Sequence, residues 1–124
     1  MFEFDKTNVR ISQEVGLLPF VGASVAAILE LSRDCMQKLD TDVVDASNMT
    51  FSVIAYPEHR FLTCQYTLWK NTGGEHQRYE PTEGEVQLLW KLLEAFSQDH
   101  YGCSLEMFPE WFQNHALSAC EVKG

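Results

Sequence analysis

Residues 49–70, MTFSVIAYPEHRFLTCQYTLWK, carry the pattern from which a sheet can be predicted. From Met49 to Tyr56 apolar and more polar side chains alternate, and the same period of two returns from Phe61 to Lys70. This period is typical of strands that bury one face. The intervening Pro57-Glu58-His59-Arg60 predicts a turn, so the sequence predicts an antiparallel hairpin.

Beyond this hairpin, Asn71-Thr72-Gly73-Gly74 predicts a second turn, and His76-Gln77-Arg78-Tyr79 predicts a third strand. The third strand is hydrophilic, which suits an exposed sheet edge.

Three segments predict helices. From about Phe20 to Leu39, apolar residues recur at helical spacing and predict an amphipathic helix. Thr82-Glu83-Gly84-Glu85 has the pattern of a capping box and predicts a helix that continues to about Gln98. Pro109 predicts the first turn of a closing helix over Glu110 to about Ala119.

These elements predict an α+β fold. We expect residues 1–124 to form a single domain, with a small antiparallel sheet (a hairpin or a three-stranded meander) packed against about three helices. The composition agrees with a globular chain, since 45% of the 124 residues are hydrophobic and 22% are charged.

The chain is acidic, with 18 Asp and Glu against 9 Lys and Arg and a net charge of −9. Such a surface is a poor match for phosphates, so the sequence argues against nucleic acid and anionic membranes as partners. The first residues lack the pattern of a secretory signal, and we therefore expect a cytoplasmic protein. In that compartment the four cysteines are expected to remain thiols.

The spacing of His100, Cys103, His115 and Cys120 is one candidate for chemistry. Imidazole and thiolate are the ligands of tetrahedral zinc, so a zinc-binding or enzymatic domain is an alternative. Ordinary packing of two thiols and two surface histidines explains the same residues. Cys64 with His59 or His76 is a looser candidate for nucleophilic catalysis.

The segment Pro81-Thr82-x2-Glu85-x2-Leu88-Leu89-x2-Leu92-Leu93, followed by Gly102 and a short helix, resembles the first two helices of a winged helix-turn-helix domain. The resemblance implies that the second helix, Pro109 to His115, would read DNA. That segment contains no Lys or Arg to bind the DNA backbone. This alternative is therefore a degenerate winged helix-turn-helix.

The function that the sequence favours is binding of another protein with a basic surface, without catalysis and without a cofactor. An inhibitor, an immunity factor, an adaptor or a chaperone-like protein would act in this way, and a homodimer is compatible with the wide apolar arc around Leu88 and Leu92. Aromatic anchors beside steering carboxylates are typical of protein interfaces. The predicted partner-binding residues are Trp69, Tyr79, Glu83, Glu85, Glu106 and Glu110.

Overall fold

A computed structural model of the protein describes residues 4–20, 24–35, 49–70 and 73–123, with side chains up to residue 115 in the last segment. Six strands form one antiparallel sheet in the order β1-β3-β4-β5-β6, and β2 also pairs with β3. The strands are β1 (Val9–Ile11), β2 (Leu17–Pro19), β3 (Val25–Leu31), β4 (Met49–Tyr56), β5 (Phe61–Lys70) and β6 (Gly73–Tyr79). Two helices follow, α1 (Glu83–Tyr101) and α2 (Phe108–Lys123).

The predicted hairpin is confirmed, with strands at the predicted positions β4 and β5. Their register pairs Tyr56 with Phe61 at the turn and Met49 with Leu68 at the other end. The turn is a short 3-10 helix, Pro57–His59, followed by Arg60 in the left-handed conformation with φ of 51°. The predicted third strand is also present, as the longer and mostly exposed β6 paired with β5.

The predicted size of the sheet is wrong, because it has six strands rather than two or three. The largest error concerns the expected helix from Phe20 to Leu39. Its centre, Val25–Leu31, is strand β3, and residues 33–35 are helical. Residues 21–23 and 36–39 of that prediction lie outside the described residues.

The physical reason for this error is visible in β3. Its inward residues, Val25, Ala27, Leu29 and Leu31, are buried and alternate with period two. Ala26 and Ile28 point outward but are apolar as well, so the alternation is hidden in the sequence. Strands β1 and β2 have three residues each, too few to show a period.

Helix α1 begins as predicted. Thr82 is the N-cap, and both hydrogen bonds of the capping box are formed. The helix ends at Tyr101, three residues later than expected, and is capped by Gly102, which has φ of 69°. Four residues at a spacing of four form its buried stripe: Glu85, Leu89, Leu93 and Ser97.

Helix α2 starts at Phe108, one residue before the predicted Pro109, and extends beyond Ala119. The buried apolar residues of the sheet and of both helices form a single cluster. Phe51 and Val53 of β4 belong to it, together with Leu89 and Leu93 of α1 and Phe108 of α2. We call this side of the sheet the inner face and the opposite side the outer face. Neither helix within the described residues is long and apolar enough to span a bilayer.

Gly16 lies where the start of β2 closely approaches the end of α1. Its φ is 64°, and a Cβ at this position would lie 2.6 Å from the hydroxyl oxygen of Tyr101. That hydroxyl accepts a hydrogen bond from the Leu17 amide over 3.3 Å. A side chain at residue 16 would therefore strain the backbone and displace Tyr101.

We predict that Gly16→Ala lowers the free energy of unfolding by about 1–3 kcal/mol, measured by urea denaturation. Gly84→Ala is the matched control, because Gly84 lies in the first turn of α1 with open space around it. This control should leave stability unchanged or raise it by up to about 1 kcal/mol. Equal effects of the two substitutions would contradict the role assigned to Gly16.

Candidate functional site

Glu85 is the most constrained carboxylate of the described chain. It is 0% exposed, although it was predicted to be a steering charge at the surface. Its Oε1 accepts a hydrogen bond from the Thr82 amide at 2.7 Å, and its Oε2 accepts one from the Phe4 amide at 3.2 Å. The Tyr79 hydroxyl donates to the same carboxylate, 3.0 Å from each oxygen. Glu85 therefore joins the N-terminal segment, the end of β6 and the start of α1.

Tyr79 is half-buried on the inner face, although it was predicted to be an exposed anchor. Its ring stacks on Phe4 with centroids 5.6 Å apart and meets the edge of Phe51 at 5.5 Å. Burial raises the pKa of the Tyr79 phenol well above its ordinary value, and the hydrogen bond to Glu85 adds to this shift. Tyr79 and Glu85 are thus removed from the predicted partner surface.

Trp69 is exposed as predicted, with 52% of its surface accessible. It lies on the outer face, where its indole Nε1 donates a 2.8 Å hydrogen bond to the Thr50 hydroxyl. Its ring covers Gly74 on the neighbouring strand, since a Cβ at Gly74 would lie 3.1 Å from two ring carbons. An exposed ring held in this way keeps one orientation.

The remaining predicted carboxylates, Glu83, Glu106 and Glu110, are exposed. Glu83 begins α1, which packs on the inner face, whereas Trp69 lies on the outer face. The structure therefore does not bring Trp69 together with these acids as the sequence analysis expected.

Glu106 and Glu110 flank Met107, whose side chain is 50% exposed. We call these three residues the acidic corner. Met107 was missed by the sequence analysis, although its position between two acids at a turn before a helix was a usable signal.

The acidic corner is held firmly against α1. The Leu105 amide donates a 3.1 Å hydrogen bond to Oε2 of Glu94, and the Ser97 hydroxyl donates a 2.8 Å bond to the carbonyl of Cys103. Leu105 and Phe108, which flank Glu106 and Met107 in the chain, are buried in the core. The backbone beneath the exposed side chains of the corner is therefore fixed before any partner binds.

Three of the four candidate zinc ligands have other contacts among the described residues. His100 stacks on Phe96 with centroids 3.8 Å apart, and His115 stacks on Trp111 at 3.9 Å. Cys103 is half-buried, 3.7 Å from the Ser97 hydroxyl, and the side chain of Cys120 lies outside the described residues. Among the described residues, no three His, Cys, Asp or Glu side chains are grouped as a metal site would require. The zinc site stays an alternative, which elemental analysis of protein purified without chelator would test.

Cys64 does not form the nucleophile pair that was considered with His76. It points to the inner face and is buried, whereas His76 pairs with Thr67 on the outer face. Burial raises the pKa of the Cys64 thiol to about 12, and the charges of Glu85 and Glu80 add to the rise. A thiol in this state is a poor nucleophile at neutral pH.

Comparison with known proteins returned no matching protein family, no matching curated protein and no matching solved structure.

The raised pKa of Cys64 predicts a loss of stability at alkaline pH. Its ordinary value is 9.0 and its value in the folded chain is about 12, so the unfolded chain releases this proton first as the pH rises. The stabilising contribution is complete below about pH 9 and is lost as the pH rises toward 12. When the pH is raised from about 8 to about 10, the free energy of unfolding should fall in both proteins. We expect the fall to be about 1 kcal/mol smaller in Cys64→Ala than in the wild type.

The measurement is urea unfolding of both proteins at the two pH values. Cys64→Ala also removes core volume, so the informative quantity is the change with pH rather than the stability itself. An equal loss in the two proteins would show that Cys64 contributes nothing to the alkaline transition.

Proposed function

We propose that this chain is a protein-interaction module that binds a partner with a basic surface through the acidic corner. The observation that carries the proposal is the exposed Met107 between the exposed Glu106 and Glu110. An apolar side chain surrounded by charge is the arrangement in which contact area and electrostatic attraction act together.

Charge distribution supports this choice of surface. Residues 82–124 contain seven acidic and two basic residues, so the helical part of the chain is the more acidic. A field of this sign raises the association rate of a basic partner. The bonds that fix Leu105 and Cys103 also reduce the entropy lost on binding, because the corner is already ordered.

Binding without catalysis remains our proposal. The buried Cys64 thiol and the Tyr79 phenol both have raised pKa values and serve packing on the inner face. Inhibitors, immunity factors, adaptors and chaperone-like proteins all act by binding of this kind. We also propose the cytoplasm as the compartment, since Cys35, Cys64 and Cys103 are free thiols, the form that cysteines keep there.

We predict that the double variant Glu106→Lys and Glu110→Lys slows association with a basic partner at least about tenfold at low salt. The probe is a fluorescent Lys-rich peptide, followed by stopped-flow mixing at low and at physiological ionic strength. The rate of the wild type should fall as salt is added, because screening removes the attraction.

The matched control is Glu14→Lys with Asp34→Lys, which raises the net charge by the same amount on exposed residues outside the acidic corner. The association rate of this control should fall much less than that of the Glu106→Lys and Glu110→Lys variant. Equal losses would assign the effect to net charge and would overturn the acidic corner as the binding surface. Urea unfolding of each variant checks that the fold is intact.

A further inference from the structure

Among the described residues, the outer face of the sheet carries several large apolar side chains that are exposed. Both helices contribute to the core on the inner face, and three large side chains on the outer face are about half exposed: Leu18 at 43%, Phe61 at 53% and Trp69 at 52%. Leu18, Ala26, Ile54 and Thr63 lie in one row across β2, β3, β4 and β5. At the β4–β5 turn, Phe61 contacts Tyr56 with ring centroids 5.9 Å apart.

This face differs in charge from the rest of the chain. Among the described strand residues, its charged side chains are Arg10, Glu30 and Arg78. Arg10 forms an ion pair with Glu30, and Arg78 forms one with Glu80 over 2.8 Å. The single carboxylate on the outer face of the described strands is thus already neutralised, on a chain whose net charge is −9.

We propose that the outer face binds a second copy of this chain, and that two sheets pack face to face about a twofold axis. Two copies carry the same negative charge, so they can approach closely where carboxylates are absent or paired. A basic partner would gain little from this neutral face and is expected at the acidic corner instead. Threonine, serine and glutamine between the apolar side chains can hydrogen-bond to their own kind across the axis.

The size of the outer face sets the expected affinity of the dimer. Five adjacent strands spaced about 4.8 Å apart and about seven residues long give a flat footprint of about 550 Å² per copy. Stable interfaces bury about 600–1,000 Å² per partner. The footprint is just below this range, so we expect a reversible dimer with a dissociation constant in the micromolar range.

The test is sedimentation velocity of the full chain over about 1–200 μM, a range chosen to span the expected dissociation constant. The wild type should shift with concentration from the monomer mass of 14.2 kDa to twice that value. Phe61→Glu and Leu18→Glu should each raise the dissociation constant at least about tenfold, because each would bury an unpaired carboxylate in the interface. Both positions are half exposed, so neither substitution removes a core side chain.

Met107→Glu is the matched control, since Met107 is as exposed as Phe61 but lies in the acidic corner. It introduces the same charge and should leave the dimer intact. A wild type that stays monomeric throughout the range would overturn the proposal. So would a dimer that resists both outer-face substitutions, or one that is lost with Met107→Glu.

This inference is independent of the proposed function. In the sandwich that we propose, each acidic corner stays on the helical side of its sheet, where the 3-10 helix Leu105–Met107 contacts the β4–β5 turn at Pro57–His59. A monomeric wild type that still binds the Lys-rich peptide through Glu106 and Glu110 would refute the dimer alone. A dimer without charge-dependent binding would refute the proposed function alone.

Discussion

The hydrogen bonds that converge on the buried Glu85 carboxylate hold the structure together at one point. Two backbone amides and one phenol donate to it, from Phe4, Thr82 and Tyr79. A buried carboxylate that lacked such donors would cost several kcal/mol of desolvation, so the three elements must be in place together. The same residue completes the capping box of α1, which ties the start of the helix to the last strand.

With α1 fixed in this way, the two faces of the sheet acquire different roles. The inner face is filled by the rings and aliphatic side chains that pack against both helices. The outer face keeps large side chains such as Phe61 and Trp69 accessible. Helix α1 also supports the acidic corner, because its Glu94 accepts a hydrogen bond from the Leu105 amide. We propose that recognition is divided between these two surfaces, with a second copy at the neutral face and a basic partner at the acidic corner.

Local signals in the sequence were sufficient for about half of the fold. The hairpin was recognisable because Phe51, Val53 and Ala55 face inward while more polar residues face outward. The capping box was recognisable because Thr82 and Glu85 have the required spacing. Strand β3 was missed because Ala26 and Ile28, on the outer face, are apolar like their inward neighbours. An amphipathic helix also produces such a run of apolar residues.

The candidate site was less accessible from the sequence than the fold. Trp69, Glu106 and Glu110 are exposed as expected, but the sequence could not show that Trp69 lies on the opposite face from the acids. Glu85 completes the capping box at the start of its own helix, and this role alone accounts for a glutamate at that position in the sequence. Its burial depends on Phe4, which is 81 residues away, and such long-range contacts leave no local pattern.

A double-mutant cycle between Glu85 and Tyr79 measures whether the two side chains stabilise the fold together. Glu85→Gln keeps the shape of the side chain but turns an amide toward donors, so we expect it to lower the free energy of unfolding by about 1–3 kcal/mol. Tyr79→Phe removes the hydroxyl, and the double variant should lose at least about 0.5 kcal/mol less than the two single losses together. Additive losses, or a Glu85→Gln variant as stable as the wild type in urea, would contradict the account.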